Sequence, residues 1–259
     1  MCRTTAIYAR ALHFPNSANH GVVPYVRNPP VTGGNAELWE AGCREDKLRN
    51  GVLVPAIARI LAREKSARIL DVGTGTAYVP RQIHPLLSHR PEWNLVDLCP
   101  DRIALASKLI PEDMIAEFTC SDIANCGLPS AWYDAILLTF TLLEVSDMKE
   151  LINALSDLTA DEGSLIIALP DVWKDVLGAS DDHEADAKAF LSSDVELIKM
   201  DRFTQAAYPF RARRIERVIE CVLDRGFRLE ELRNPCLGEA SVFLLTFRRM
   251  DRAAHDRHG

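Results

Sequence analysis

Three acidic residues stand at or just beyond the ends of three predicted strands, and two glycines follow the first of them. Asp71 ends the strand in ARILDVGTGTAYV and precedes Gly73 and Gly75, Asp97 ends WNLVD, and Asp122 lies shortly after IAEFT. Because the carboxyl ends of parallel strands meet at one edge of a sheet, we expect these residues to surround a single ligand.

The residue types indicate which ligand this edge could hold. The dinucleotide fingerprint G-x-G-x-x-G/A fails at its sixth position, where Tyr78 is too bulky for close packing of helix on strand. Asp71 repels a pyrophosphate and favours a cation, while Asp97 can accept both hydroxyls of a ribose. Asp122 can accept a hydrogen bond from an adenine amino group, with Ile123 beside the ring. The predicted ligand carries an amino group, a ribose and an adenine, and it needs no phosphate.

Each acid also has a structural interpretation. Asp71 could cap the following helix, since aspartate is a common N-cap residue. Asp97 and Asp122 could simply begin turns, a position that aspartate also favours. Their occurrence together at successive strand ends favours the ligand site.

The elements that must position these residues alternate between strand and helix. Apolar periodicity predicts a helical region over 38–62, strands over 68–71, 93–97, 115–119, 133–139 and 164–169, helices over 101–109, 148–158 and 213–225, and two closing strands, FRLEELR and 241–247. This alternation is typical of a parallel sheet with crossover helices on both faces. Pro80 suits the first turn of the first crossover helix, whereas Pro85 should end or kink it, so we expect that helix to be short.

The chain resembles the class I S-adenosylmethionine-dependent methyltransferases over roughly residues 69–171. The resemblance is carried, in the right order, by ILDVGTGTAYV, LVDLCPDRIALA, CSDIANCGLP, YDAILLTFTLLEV and GSLIIALPD. It implies an α/β, Rossmann-like sheet of seven mostly parallel strands in the order 3-2-1-4-5-7-6, with the last strand antiparallel. It also implies S-adenosylmethionine as the cofactor and S-adenosylhomocysteine as the product.

The resemblance further implies which residues contact the cofactor. The glycine turn would border the methionine moiety, the residues after the second and third strands would hold the ribose and adenine, and the end of the fourth strand would lie near the methyl group. The expected cofactor-binding residues are Asp71, Gly73, Thr74, Gly75, Asp97, Leu98, Asp122, Ile123 and Thr139.

Composition sets the domain organisation and the class of partner. We expect an N-terminal arm or tail over 1–36, a methyltransferase domain over 37–249 with a lid-like insertion at about 171–210, and a polar tail over 250–259. A net charge of −7 argues against a nucleic-acid partner. No apolar run approaches the roughly 18–20 residues that a membrane span requires. The chain has seven scattered cysteines and no CxxC pair, and its first residues lack the pattern of a signal peptide, so we expect a reduced, cytoplasmic protein without a metal site.

No catalytic residue can be assigned from the sequence, because the cofactor itself supplies the electrophile. Weak candidates for a base are Glu144, His84, His183 and Tyr208, and an arginine cluster (Arg211, Arg213, Arg214 and Arg217) could attract an anion. We expect in-line methyl transfer to a small-molecule acceptor. The alternatives are an RNA or protein methyltransferase, a nicotinamide-dependent oxidoreductase, and a noncatalytic cofactor-binding assembly partner. The oligomeric state is left open.

Overall fold

A computed structural model describes residues 36–177, 182–200, 207–238 and 240–251, and its main sheet has the predicted α/β arrangement. The strands, in chain order, are β1 Arg68–Val72, β2 Glu92–Asp97, β3 Ala116–Cys120, β4 Tyr133–Thr139, β5 Thr159–Pro170, β6 Val195–Met200, β7 Ala207–Ala212, β8 Phe227–Arg233, β9 Cys236–Leu237 and β10 Ala240–Arg249. The long path through the sheet runs β3-β2-β1-β4-β5-β10-β8, and the short β9 pairs with β10.

This path confirms the strand order predicted from the sequence, with β8 and β10 as the sixth and seventh strands. The pairs among β1 to β5 are all parallel, and β10 runs antiparallel to both of its neighbours in the path. The short β9 and a separate β6–β7 hairpin are additional to the seven expected strands.

The helices are α1 Ala36–Glu45, α2 Val54–Glu64, α3 Tyr78–Ile83, α4 Pro100–Leu109, α5 Met148–Leu158, α6 Trp173–Leu177, α7 His183–Ser192 and α8 Ile215–Leu223. Those predicted from the sequence begin and end close to the expected positions, whereas α6 and α7 were not predicted. The first crossover helix is short, as expected: α3 ends at Ile83, and Pro85 lies in the 3₁₀ turn that follows it. A π-helical turn over Arg49–Leu53 joins α1 to α2, a feature that the apolar pattern did not reveal.

Apolar side chains cover both faces of the sheet. On one face Leu70 and Ile136 belong to a buried cluster that includes Leu155 of α5, and on the other Ile69 packs in a cluster that includes Ile57 of α2. Since neighbouring residues of a strand point to opposite faces, the nearly continuous apolar strands are explained by burial on both sides. Polar groups that a ligand could reach are therefore expected at the strand ends.

Two connections differ from a regular alternation. Between β3 and β4 the chain forms only a 3₁₀ turn, Ile123–Asn125, where a crossover helix would be usual. The predicted insertion contains α6, α7 and the β6–β7 hairpin, although its residues 178–181 and 201–206 lie outside the described part of the chain. The proposed arm, except for the start of α1, and residues 252–259 of the polar tail also lie outside it. Among the described residues no helix is long and apolar enough to cross a membrane.

Candidate cofactor-binding site

The glycine turn after β1 has a backbone that favours glycine. Gly73 and Gly75 have φ values of 74° and 59°, in the left-handed region where glycine is not strained. The amides of Gly73 and Thr74 both donate to the carbonyl of Val96, at 2.8 and 3.0 Å, which attaches the turn to β2. A methyl group on Gly73 would lie 2.5 Å from Oγ1 of Thr141. The turn is therefore packed closely between β2 and the segment that follows β4.

Asp97, at the end of β2, binds the backbone on both sides of its carboxylate. Oδ2 accepts from the amide of Gly75 at 2.7 Å, and Oδ1 accepts from the amide of Cys99 at 2.8 Å. The residue is only 7% exposed. Each oxygen of a carboxylate has a second lone pair, so these bonds leave capacity for further donors. Asp97 joins the glycine turn to the start of α4, a structural role that the sequence alone did not reveal.

Asp71 is the most deeply buried of the three acids, with 2% of its surface exposed. Burial raises the pKa of its carboxyl to about 7; the Thr74 hydroxyl acts against this rise, the nearby Asp97 carboxylate adds to it, and Arg49 opposes it. A carboxyl with this pKa would be largely protonated in mildly acidic solution. A cation placed beside it would favour its ionised form.

The two expected adenine contacts lie after β2 and β3, whose ends are neighbours in the sheet, since Asp97 is paired with Cys120. Leu98 is 52% exposed and can therefore offer an apolar surface to a ring. Asp122 accepts a hydrogen bond from the amide of Ala124 at 3.1 Å and so caps the 3₁₀ turn that begins at Ile123. Asp122 thus begins a turn, as its structural interpretation predicted, and it also lies at the candidate site.

The segment after β4, residues 140–145, lies beside the glycine turn. Thr139 ends β4, and Phe140 follows with a φ of 65°, an unusual conformation for a large side chain. Oγ1 of Thr141 donates to the carbonyl of Val72 at 2.7 Å, which ties this segment to the end of β1. Backbone strain of this kind is common at functional sites.

Two further residues reach this edge from the N-terminal side and were missed in the sequence. Nε1 of Trp39, in α1, lies 3.1 Å from the position that a methyl group on Gly75 would occupy, and the guanidinium of Arg102 lies 4.2 Å from the centre of a Trp39 ring. The guanidinium of Arg49 lies 5.3 Å from the ring centre of Phe140, and its charge acts on Asp71. Tryptophan and arginine in a helical stretch gave no signal of these contacts.

Three of the four candidates for a base have described side chains, and these three do not form a recognisable catalytic arrangement. Glu144 is exposed after β4, and His183 is exposed at the start of α7. His84 is buried, and its Nε2 lies 3.5 Å from the carboxylate of Asp113. The side chain of Tyr208 lies outside the described part of the chain. The structure therefore assigns none of the three described residues to proton transfer.

The arginine cluster holds the insertion to the segment after β4. Arg213 donates to the carbonyls of Leu142 and Val145 and forms an ion pair with Asp194 at 2.7 Å. Arg211 donates to the carbonyl of Glu144 at 3.2 Å. Arg214 donates to the carbonyl of Leu191 at the end of α7. These three guanidinium groups are engaged within the protein, which weakens the hypothesis that they attract an anion.

Comparison with known proteins gives one family. A family model described as a methyltransferase domain matches residues 46–231. The match includes the glycine turn, all three acids and the segment after β4. No curated protein sequence is a significant match to this chain.

Solved structures share the fold at low sequence identity. An S-adenosylmethionine-dependent methyltransferase from Clostridium acetobutylicum superposes with a TM-score of 0.59, 13% identity and coverage of 82% of this chain and 98% of that one. Magnesium protoporphyrin IX methyltransferase from Synechocystis, solved with bound S-adenosylhomocysteine, superposes with a TM-score of 0.59 and 12% identity, and the match covers 82% of this chain and 93% of that one. The [4+2]-cyclase SpnF superposes with a TM-score of 0.53 and 14% identity, and the match covers 75% of this chain and 81% of that one. At this identity the similarity concerns the fold, which serves more than one reaction.

Proposed function

This chain belongs to the methyltransferase-domain family, as its sequence indicated, and on that premise we propose that it transfers the methyl group of S-adenosylmethionine to a small-molecule acceptor. One observation carries the proposal: Asp71, Asp97 and Asp122 lie at or just after the ends of three adjacent strands, around a glycine turn. A buried carboxyl of raised pKa beside this turn suits a cationic nucleoside better than a pyrophosphate.

The proposed contacts follow from charge and exposure. The ammonium end of the cofactor would lie by Asp71, the ribose hydroxyls by the remaining lone pairs of Asp97, and the adenine between Leu98 and Ile123. Arg49 approaches the same edge with its positive charge and fits the carboxylate of the methionine moiety. Gly73, Thr74, Gly75, Asp122 and Thr139 complete the proposed set.

The bound cofactor would supply the electrophilic methyl carbon, so no side chain of the protein has to act as the electrophile. Its residues orient the two reactants in line and exclude water, which is how binding lowers the barrier of a displacement reaction. The tight packing of Thr141 against Gly73 gives this edge a defined shape. The acceptor would then enter from the side of the segment after β4 and the insertion.

A small-molecule acceptor is favoured over a nucleic acid by charge. The chain has a net charge of −7. The guanidinium groups of Arg211, Arg213 and Arg214 bind carbonyls or carboxylates of the protein itself. A surface that binds a phosphate backbone usually offers several free basic side chains. A protein acceptor and a noncatalytic role are the outcomes against which the proposal is tested.

Cofactor binding can be tested by thermal unfolding with S-adenosylhomocysteine. A ligand at about 100 times its Kd stabilises the folded state by about 2.7 kcal/mol. For a domain of this size we expect a rise in Tm of about 5–10 °C. Asp97→Ala should abolish most of the rise, whereas Asp101→Ala, an exposed acid in the first turn of α4, should retain it. A folded Asp97→Ala variant with the full rise would show that the ribose assignment is wrong.

Methyl transfer can be tested with S-adenosylmethionine labelled in its methyl group. We expect label to pass into a filtered small-molecule extract and not into protein or RNA fractions of the same cells. Label in the protein fraction or in the RNA fraction would show that the acceptor is a protein or an RNA and that the small-molecule proposal is wrong. Cofactor binding without transfer to any fraction would support the noncatalytic alternative.

A further inference from the structure

A buried glutamate in α1 has hydrogen-bonding partners that lie in and just after the glycine turn. Glu40 is 4% exposed, although it lies on a helix near the N-terminal end of the described chain. Its Oε2 accepts from Oγ1 of Thr76 at 2.6 Å, and Nη2 of Arg81 lies 2.8 Å from both of its oxygens. Arg44, one turn further along α1, donates at 3.1 Å. A buried carboxylate is costly unless it is paired in this way.

These contacts hold Glu40 in its charged form. Burial by itself raises the pKa of this carboxyl, but the hydrogen bonds from Thr76, Arg81 and Arg44 and the positive charge of Arg81 together outweigh burial, so the pKa lies below its ordinary value. Charge-assisted hydrogen bonds of this kind are about twice as strong as neutral ones. The carboxylate therefore makes a strong connection between α1 and the residues that follow Gly75.

The partners of Glu40 are themselves buried or nearly so. Thr76 is fully buried between Gly75 and Ala77, and its hydroxyl donates to Glu40. Arg81 lies in α3, with its side chain only 10% exposed. Glu40 is therefore joined to the glycine turn through Thr76 and to α3 through Arg81.

The residue next to Glu40 is the one that borders the site. The indole of Trp39 lies against Gly75, whose amide donates to Asp97, and Arg102 of α4 lies over one of its rings. Trp39 is thus held between the turn and α4, beside the carboxylate proposed to bind the ribose. A change in the position of α1 would move this ring along the surface that the cofactor contacts.

We propose that Glu40 is a positioning residue that fastens α1 to the glycine turn and so fixes the indole of Trp39 beside the ribose subsite. The inference rests on the proposed function, because it assigns a role within the cofactor site. It also makes the N-terminal helix a part of that site. A helix that only contributed packing energy would change the Tm of the protein and leave the cofactor affinity of the folded molecules unchanged.

The test compares Glu40→Gln with Glu45→Gln, an exposed glutamate on the same helix. Affinity for S-adenosylhomocysteine is measured by calorimetry at a temperature where circular dichroism shows each variant folded. We expect the Kd of Glu40→Gln to rise at least about tenfold, the range for losing a hydrogen bond to a charged group, and that of Glu45→Gln to stay within about twofold. Equal affinities of the two variants would overturn the proposal.

Tryptophan fluorescence gives a second readout that does not depend on the cofactor. In a Trp132→Phe, Trp173→Phe background, Trp39 is the partly exposed tryptophan that remains, because Trp93 is 1% exposed. Acrylamide should quench this background more strongly once Glu40→Gln is added, and the Glu45→Gln change should have no such effect. Unchanged quenching would show that Glu40 does not hold the indole in place.

If Glu40→Gln fails to fold, Thr76→Val provides a milder change, since valine keeps the shape of threonine and removes the hydrogen bond to Glu40. We expect the same directions of change in quenching and in Kd, with smaller size. In a folded double variant the effects of Glu40→Gln and Thr76→Val on Kd should be less than additive, because both remove one interaction. Additive effects would contradict the proposed connection. Absence of binding by the natural chain would instead count against the proposed function, and the quenching comparison would still test Glu40.

Discussion

Replacing Asp71 with asparagine should change how the stability of the protein depends on pH. The carboxyl is fully buried, and burial raises its pKa from 3.8 to about 7. Between these two values the folded state keeps a proton that the unfolded chain has released. The contribution of Asp71 to the free energy of unfolding should therefore fall as the pH rises from about 4 to about 7, and then level off.

The magnitude follows from the same two values. Each pH unit between them corresponds to 1.36 kcal/mol, so ionisation of Asp71 lowers the free energy of unfolding by about 4 kcal/mol across the interval. Asparagine has nearly the same shape and does not ionise. The difference in stability between Asp71→Asn and the natural chain should therefore move in favour of the variant by up to about 4 kcal/mol between pH 4 and pH 8.

Cofactor affinity should depend on pH in the opposite direction. A cationic ligand favours the carboxylate form of Asp71, and with a pKa of about 7 only about one-tenth of the carboxyls are ionised at pH 6. The affinity of the natural chain for S-adenosylmethionine should rise about tenfold between pH 6 and pH 8, relative to the Asp71→Asn variant. The comparison with the variant cancels the titration of the ligand itself.

Urea unfolding at pH 4, 6 and 8 measures the first effect, and calorimetry in two buffers of different ionisation enthalpy measures affinity and proton release together. Asp122→Asn, a half-buried acid at the same sheet edge, serves as the control and should not reproduce the stability change. Parallel stability profiles for Asp71→Asn and the natural chain would refute the reasoning. An affinity ratio that stays constant with pH would show that the cation does not meet this carboxyl.

Further substitutions test single contacts in and around the site. Gly73→Ala should destabilise the fold by more than the roughly 1 kcal/mol of its positive φ, because the new methyl group would lie 2.5 Å from Oγ1 of Thr141, and adding Thr141→Ala should recover part of the lost Tm. Arg213→Met should cost about 3–5 kcal/mol in urea unfolding, since it removes a buried guanidinium that pairs with Asp194 and donates to the carbonyls of Leu142 and Val145. Arg217→Met, at a guanidinium 46% exposed, should cost less than about 1 kcal/mol. Leu98→Ser should weaken cofactor binding about three- to tenfold in calorimetry and leave Tm nearly unchanged, because half of the leucine is already exposed.

Much of the fold could be predicted because its signals are local. The apolar strands and Pro85 after α3 act within a few residues of their own positions. The order of the strands required the resemblance to a family, since parallel pairs form between segments far apart in the chain. The location of the three acids followed from the rule that parallel strands end at one edge.

The missed parts of the site depend on contacts between distant residues. Trp39 meets Gly75, and Glu40 meets Thr76 across 36 positions of the chain. The π-helical turn that carries Arg49 leaves no distinct apolar pattern. The two backbone hydrogen bonds of Asp97 depend on the bends of the glycine turn and of the start of α4, which exist only once the sheet has formed.

These two bonds also allow a test of how the acids act on one another. The amides of Gly75 and Cys99 donate to the carboxylate of Asp97, and the charge of Asp97 adds to the effect of burial on the pKa of Asp71. Asp97→Asn removes the charge, so the midpoint at which Asp71 titrates should move to a lower pH. The midpoint can be read from the carboxyl carbon of Asp71 by nuclear magnetic resonance, which separates it from the loss of stability caused by the unmatched amide. A midpoint that stays near 7 would show that the charge of Asp97 does not contribute to the raised pKa of Asp71.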